Sequence, residues 1–146
     1  MIPDINLIVA ASRADHVHHR IAITWLNEAI AACESGGSIE ILPIVAAAFL
    51  RLVTNIKVFR NPSPIRDAVA FMDALLATPG VEMPEIGREW AMLRNLCREG
   101  RFSGNDIPDV WIAAAVKTLH GHLVTFDRGF RRMLSKGELT VLSIAA

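Results

Sequence analysis

Short apolar runs alternate along the chain with longer stretches in which apolar residues recur every three or four positions, the patterns of buried strands and amphipathic helices. Residues 2–4 read as a brief strand that passes quickly into a helical region. Residues 16–33 read as a helix with Ile21, Trp25, Leu26, Ala29 and Ile30 on one face, stopped by Gly36-Gly37. A second strand is expected over 39–42. A helix follows over 44–53, because Ala46, Ala47, Ala48 and Leu50 outweigh its β-branched residues. Asn61-Pro62-Ser63-Pro64 makes a turn, with Ser63 the expected N-cap of a helix over 64–77. Pro79-Gly80 breaks that helix. A short strand over 81–83, a helix over 88–98 and a loop over 100–105 lead into a helix over 107–119. A strand over 122–126, a short helix over 129–134 and a strand over 139–143 close the pattern. Such alternation predicts an α/β three-layer sandwich with a largely parallel central sheet flanked by helices.

Size and charge narrow the picture. With 146 residues, of which 52% are hydrophobic and 21% charged, the chain suits one domain over 1–146 with a sizeable core. Fifteen basic residues balance fifteen acidic ones, so nucleic acid would have to be held by a local patch. Cys33 and Cys97 stand alone, without metal spacing; a reduced intracellular chain is the simpler reading, with a disulfide left open. The N-terminus lacks a basic segment ahead of its apolar run, and no apolar run approaches the roughly 20 residues of a membrane span. A cytoplasmic protein is expected.

The informative residues are acids placed where apolar elements end. Asp4 closes the first strand, and Asp127 follows Leu123-Val124-Thr125-Phe126 in the same way. Asp106 and Asp109 open the Ala-rich helix, and their spacing of three puts them on one face. In open parallel sheets, ligands collect beyond the carboxyl ends of strands, where all four acids lie. Convergent carboxylates repel one another, so such a cluster either protonates in part or takes up a cation. Oxygen donors without thiolates suit Mg²⁺ or Mn²⁺ better than zinc. Each acid also has a purely structural reading. Asp106 (or Asn105) fits a helix N-cap, Asp109 gains from the helix dipole, and Asp127 fits the cap of the helix after its strand. Asp4 is hardest to explain that way, since a carboxylate in an apolar strand needs a compensating partner.

These residues resemble the PIN-domain family, specifically its VapC ribonuclease toxins. The carrying segments are PDINLIVA, HVHHRIAITWL, AFLRLVTNIKVFRNPSP, GNDIPDVWIAAAV and HLVTFDRGF, in order across nearly the whole chain. The resemblance implies a Mg²⁺- or Mn²⁺-dependent endoribonuclease, blocked by a cognate VapB-like antitoxin and homodimeric. It implies that Asp4 and Asp109 are metal ligands and that Asp127 is the later acid of the same site. Asn6 and Thr125 would be polar neighbours, and Asp106 an extra carboxylate reaching the metal directly or through water. Two departures stand out. Ala46-Ala47-Ala48 replaces a glutamate found in many members, and Gly129 replaces a second acid after Asp127.

The expected chemistry is hydrolysis of an RNA phosphodiester, with Asp4, Asp109 and Asp127 at the reacting centre. Arg128, Arg131, Arg132 and Lys136, with Arg51, Lys57 and Arg60, offer a grip on the backbone, though such clusters also occur as plain solvated faces. Trp111 suits core packing better than base stacking. His16, His18 and His19 invite a zinc reading but lack distant partner ligands. An apolar groove between the helices at 16–33 and 44–54 is a conceivable seat for an antitoxin helix. Two other readings stay open: a degenerate PIN-like module that binds RNA or protein without cutting, and a metal-dependent nuclease acting on DNA or another phosphoester.

Overall fold

The structure, a computed structural model, describes residues 1–143; the last three positions of the expected 1–146 domain lie outside the described residues. The elements run β1 (Ile2–Pro3), α1 (Ile5–Ser12), α2 (His19–Cys33), β2 (Ile39–Glu40), α3 (Pro43–Val53), α4 (Ile65–Leu76) and β3 (Val81–Glu82). They continue with α5 (Trp90–Gly100), a 3₁₀ turn (Gly104–Asp106), α6 (Ile107–Thr118), β4 (Leu123–Thr125), a second 3₁₀ turn (Arg128–Arg132) and β5 (Leu139–Val141).

All strand pairings are parallel. β4 lies between β1 and β5, and β2 pairs with β3. One backbone hydrogen bond, from Glu40 N–H to the Met1 carbonyl at 2.9 Å, joins the two groups. In a parallel ladder the next bond would run from residue 3 to the Glu40 carbonyl, but residue 3 is proline and has no N–H. Pro3 therefore thins the ladder on the β2 side. On the β4 side, Ile2 and Asp4 donate to His122 and Val124 at 2.8 and 2.9 Å. The strands follow the order 3-2-1-4-5, so the direction of winding reverses between β1 and β4. Beyond the carboxyl ends of those two strands a doubly wound sheet leaves its crevice.

The core is aliphatic, with Phe49 and Phe130 its largest fully buried side chains. In α1, the run Leu7–Ala11 is buried throughout, so the helix has no polar face and the sequence shows no period there. In α6, Val110 and the run from Ile112 to Val116 are buried, and three consecutive alanines let neighbours approach closely. Both helices are held by burial along their length, while their N-termini open towards the crevice. No helix among the described residues is long and apolar enough to cross a membrane.

Several expectations are corrected. The second helix starts at His19 rather than 16, and the helix expected over 88–98 runs from Trp90 to Gly100. Ser63 does not cap α4: its hydroxyl instead accepts from Arg13 Nη1 at 3.0 Å, and the N-cap is Pro64, without a side-chain bond. The two helices expected to border a groove, α2 and α3, both pack against α1. Cys33 and Cys97, between which the sequence leaves a disulfide open, are both free thiols, in line with the simpler reading.

Candidate active site

Asp4 follows β1 directly and is the N-cap of α1, with extended backbone (φ −75°, ψ 165°). Its Oδ1 accepts from Ile5 N–H at 2.7 Å, and its Oδ2 accepts from the Thr125 hydroxyl at 2.6 Å. These are the compensating partners that a carboxylate only 4% exposed requires. Thr125, at the end of β4, is fully buried. Its oxygen also accepts from Asp127 N–H at 2.9 Å and from Asn6 Nδ2 at 3.3 Å, while Asn6 Oδ1 accepts from Phe126 N–H at 3.4 Å. One threonine hydroxyl thus ties the ends of β1 and β4 and the first turn of α1 into one polar cluster.

Asp127 is exposed, and its Oδ1 accepts from Gly129 N–H at 2.7 Å, so its capping role is realised. A Cβ on Gly129 would stand 3.0 Å from that oxygen. The missing side chain at 129 therefore gives the Asp127 carboxylate room to fold over the turn. Asp109 is half-buried in the first turn of α6, and its carboxylate has no hydrogen bond or ion pair with any described residue. Asp106 is drawn aside: it closes a capping box with Ser103 and forms an ion pair with Arg132 at 3.4 Å.

The electrostatics tie these acids together. Burial pushes the Asp4 carboxyl up to about 6, against the lowering by Thr125 and Ile5, and the charges of Asp109 and Asp127 add to the rise. Asp109 is also raised, first by burial and then by Asp127, with Arg132 opposing and Asp106 adding. Three carboxylates feel one another, and cation would relieve all three. As the side chains stand, no three His, Cys, Asp or Glu residues among the described residues are close enough to hold a metal ion. The donor chemistry nonetheless fits a hard divalent cation: oxygen donors only, mutual repulsion, and an unpaired carboxylate in Asp109. No acid comes from α3, where Ala46 is buried and Ala48 half-buried.

The basic residues divide. Arg132 lies over the Phe102 ring, 5.0 Å from its centroid, beside Asp106, whereas Arg128 and Arg131 are exposed and form no ion pair with a described residue. Trp111 is neither core nor open platform: its indole N–H donates to Glu89 Oε1 at 2.8 Å. The histidines are engaged locally. His19 Nδ1 meets the Ala10 carbonyl at 2.8 Å, and His16 Nδ1 accepts from His18 N–H at 3.0 Å.

Two residues of consequence were not singled out in the sequence. Glu89 is buried, held by Trp111 and by Gly87 N–H at 2.6 Å, bonds that outweigh burial and lower its pKa. Arg13, 8% exposed, donates to Asp15, Ser63 and the Asn61 carbonyl, with its guanidinium 4.0 Å from the Phe59 ring centroid. Only the Asn-Pro-Ser-Pro turn signal pointed towards that loop, and it does not specify an arginine fifty residues away.

Comparison with known proteins decides the family. The PIN domain matches residues 1–134. The chain belongs to the PIN-domain family. Among PIN proteins it is similar to Ribonuclease VapC25 of Mycobacterium tuberculosis, 38% identical over 90% of this chain and 92% of that protein. Ribonuclease VapC31 of the same species matches equally well, and the VapC ribonuclease Mb2897 of Mycobacterium bovis is 35% identical over 88% and 86%. These relatives make it a VapC-type PIN domain. The fold also superimposes on a chain of VapBC2 from Rickettsia felis, crystallised bound to a DNA fragment from their promoter. That match has a TM-score of 0.64 at 18% identity and covers 96% of each chain. The expected PIN-like sandwich is therefore the fold.

Proposed function

We propose that this PIN domain is a divalent-metal-dependent endoribonuclease, a cytoplasmic VapC-type toxin held inactive by a VapB-like antitoxin and acting as a homodimer of single-domain chains. The observation that carries the reading is the joining of Asp4, Thr125 and Asp127 at the point where the sheet reverses its winding, with the unpaired Asp109 electrostatically coupled to them. The relatives' names as ribonucleases support the substrate class.

Asp4, Asp109 and Asp127 would hold Mg²⁺ or Mn²⁺, which when bound supplies an acidified water and a positive charge facing phosphate. Thr125 fixes the Asp4 carboxylate, and Asn6 fixes the strand end beside it. Asp109, whose carboxylate has no hydrogen bond or ion pair with a described residue, is the one of the three free to turn towards the ion. Arg128 and Arg131, unpaired and exposed after Asp127, meet the RNA backbone, while Arg132 offsets part of the charge on Asp109. The antitoxin would cover apolar side chains left in solvent between α3 and α4 and on α4, namely Ile56, Val58, Ile65 and Val69.

A second reading, a module that binds without cutting, draws on the separation of the acids among the described residues and on the lack of an acid at 48 and 129. Calorimetric titration with Mn²⁺ separates the two. Binding that is lost in Asp109→Asn supports the enzyme; no binding at millimolar metal supports the module. Matched RNA and DNA oligonucleotides then test the substrate class, and preferential cutting of DNA would overturn the ribonuclease.

A further inference from the structure

Three aromatic rings form a short staircase at the rim of the acid cluster, and the acid chemistry makes no use of them. The Phe126 and His18 ring centroids are 5.2 Å apart at an interplanar angle of 38°, and those of His18 and His16 are 5.6 Å apart at 53°. All three residues are half-buried, so each packs on one side and leaves part of its surface accessible. Phe126 is covalently between Thr125 and Asp127, and its N–H donates to Asn6, which places the foot of the staircase directly beside the polar cluster. The upper rings belong to the segment between α1 and α2. Their i, i+2 spacing and the bond from His18 N–H to His16 Nδ1 hold both imidazoles on one side of that segment. Val17, between them, points away and is 85% exposed. His18 is the N-cap residue of α2 through its backbone, but its imidazole makes no capping bond, and neither imidazole forms an ion pair with a described residue.

We propose that Phe126, His18 and His16 form a base-stacking platform for a single-stranded nucleotide next to the phosphodiester being cut. The inference rests on the ribonuclease reading above and names how the substrate is held. Its chemistry is general: unpaired bases stack on aromatic and histidine rings, and such stacking tolerates many sequences because every base has a π-face. The platform complements the arginines after Asp127, which grip phosphates and carry no preference for an unstacked base. It also explains how a chain of zero net charge retains RNA, since stacking needs no basic surface.

The test uses the full chain without antitoxin and a short labelled RNA that the wild type cuts. His18→Ala should raise KM about five- to hundredfold, the range expected for loss of one stacked base, and change kcat much less. His18→Phe should keep KM near that of the wild type. An abasic nucleotide walked along the substrate should cost the wild type a comparable factor at one position near the cut, and cost His18→Ala nothing further there. If His18→Ala disturbs the start of α2, as read by circular dichroism, His16→Ala at the outer step should show the same pattern more weakly. An unchanged KM in these variants, or an abasic penalty that persists in His18→Ala, overturns the platform while leaving the nuclease intact. No RNA cleavage by the wild type overturns the ribonuclease reading, and the platform falls with it.

Discussion

The Thr125 hydroxyl and the Asp4 carboxylate, 121 residues apart in sequence, share a 2.6 Å hydrogen bond in the fully buried seam between β1 and β4. The same oxygen receives the Asp127 backbone N–H, so one side chain is bonded to both acidic residues. Thr125→Val keeps the shape of the side chain and removes the hydroxyl. It leaves Asp4 Oδ2 and Asp127 N–H without that partner, and should reduce metal affinity or RNA cleavage by about 10- to 100-fold. Thr125→Ser should retain most of both. Calorimetry with Mn²⁺ and initial cleavage rates read the difference.

The raised pKa of Asp4 makes stability depend on pH. Its ordinary value is 3.8 and its folded value is about 6, so the folded protein holds this proton more tightly than the unfolded chain. The resulting stabilisation is present in full below pH about 4 and is lost as pH rises through about 6. Two units correspond to roughly 3 kcal/mol. Asp4→Asn removes the titration, so between pH 4 and pH 8 the wild type should lose about 2–3 kcal/mol more than the variant in urea unfolding without metal. Equal losses in the two proteins would contradict this assignment.

Gly129 invites a simple repair, since many VapC-type domains carry an acid there. The geometry argues against it. A Cβ at 129 would press on Asp127 Oδ1 at 3.0 Å. Gly129→Ala and Gly129→Asp should both displace the Asp127 carboxylate and lower RNA cleavage, with little change in thermal unfolding. A gain of activity in Gly129→Asp would show that the turn can yield and that an acid at 129 is useful.

Arg13 is a structural anchor. Its guanidinium joins the end of α1 to the loop ahead of α4 through the Asn61 carbonyl, the Ser63 hydroxyl and the Phe59 ring. Arg13→Ala should cost about 1–3 kcal/mol in urea unfolding, because a buried guanidinium with its hydrogen bonds and its contact with the Phe59 ring is lost. Arg13→Lys should recover only part of this, since an ammonium cannot reproduce the planar fork.

How much of this was legible in the sequence depends on the range of the interactions involved. The parallel α/β pattern and the acids at strand and helix ends follow from local rules, and the structure keeps Asp4, Asp109 and Asp127 within electrostatic reach of one another. Asp106 shared the face of Asp109 by spacing, yet a capping box and Arg132 divert it. Ser63 satisfied the local rule for an N-cap, and a long-range partner, Arg13, took its hydroxyl. Glu89 lies in a charged segment that reads as surface; its burial depends on Trp111, 22 residues later. The packing of α1 against both α2 and α3 was not legible either, because α1 has no polar face to reveal its period.

The most direct test is cleavage of a labelled RNA panel, including tRNA and ribosomal fragments, by the wild type and Asp109→Asn with Mn²⁺, Mg²⁺ or EDTA. The account predicts discrete cuts by the wild type with metal, none with EDTA, and a loss of at least 100-fold in the variant, about what removal of an essential reacting group costs. Cuts that persist in EDTA, or equal cutting by a folded Asp109→Asn protein, would contradict it.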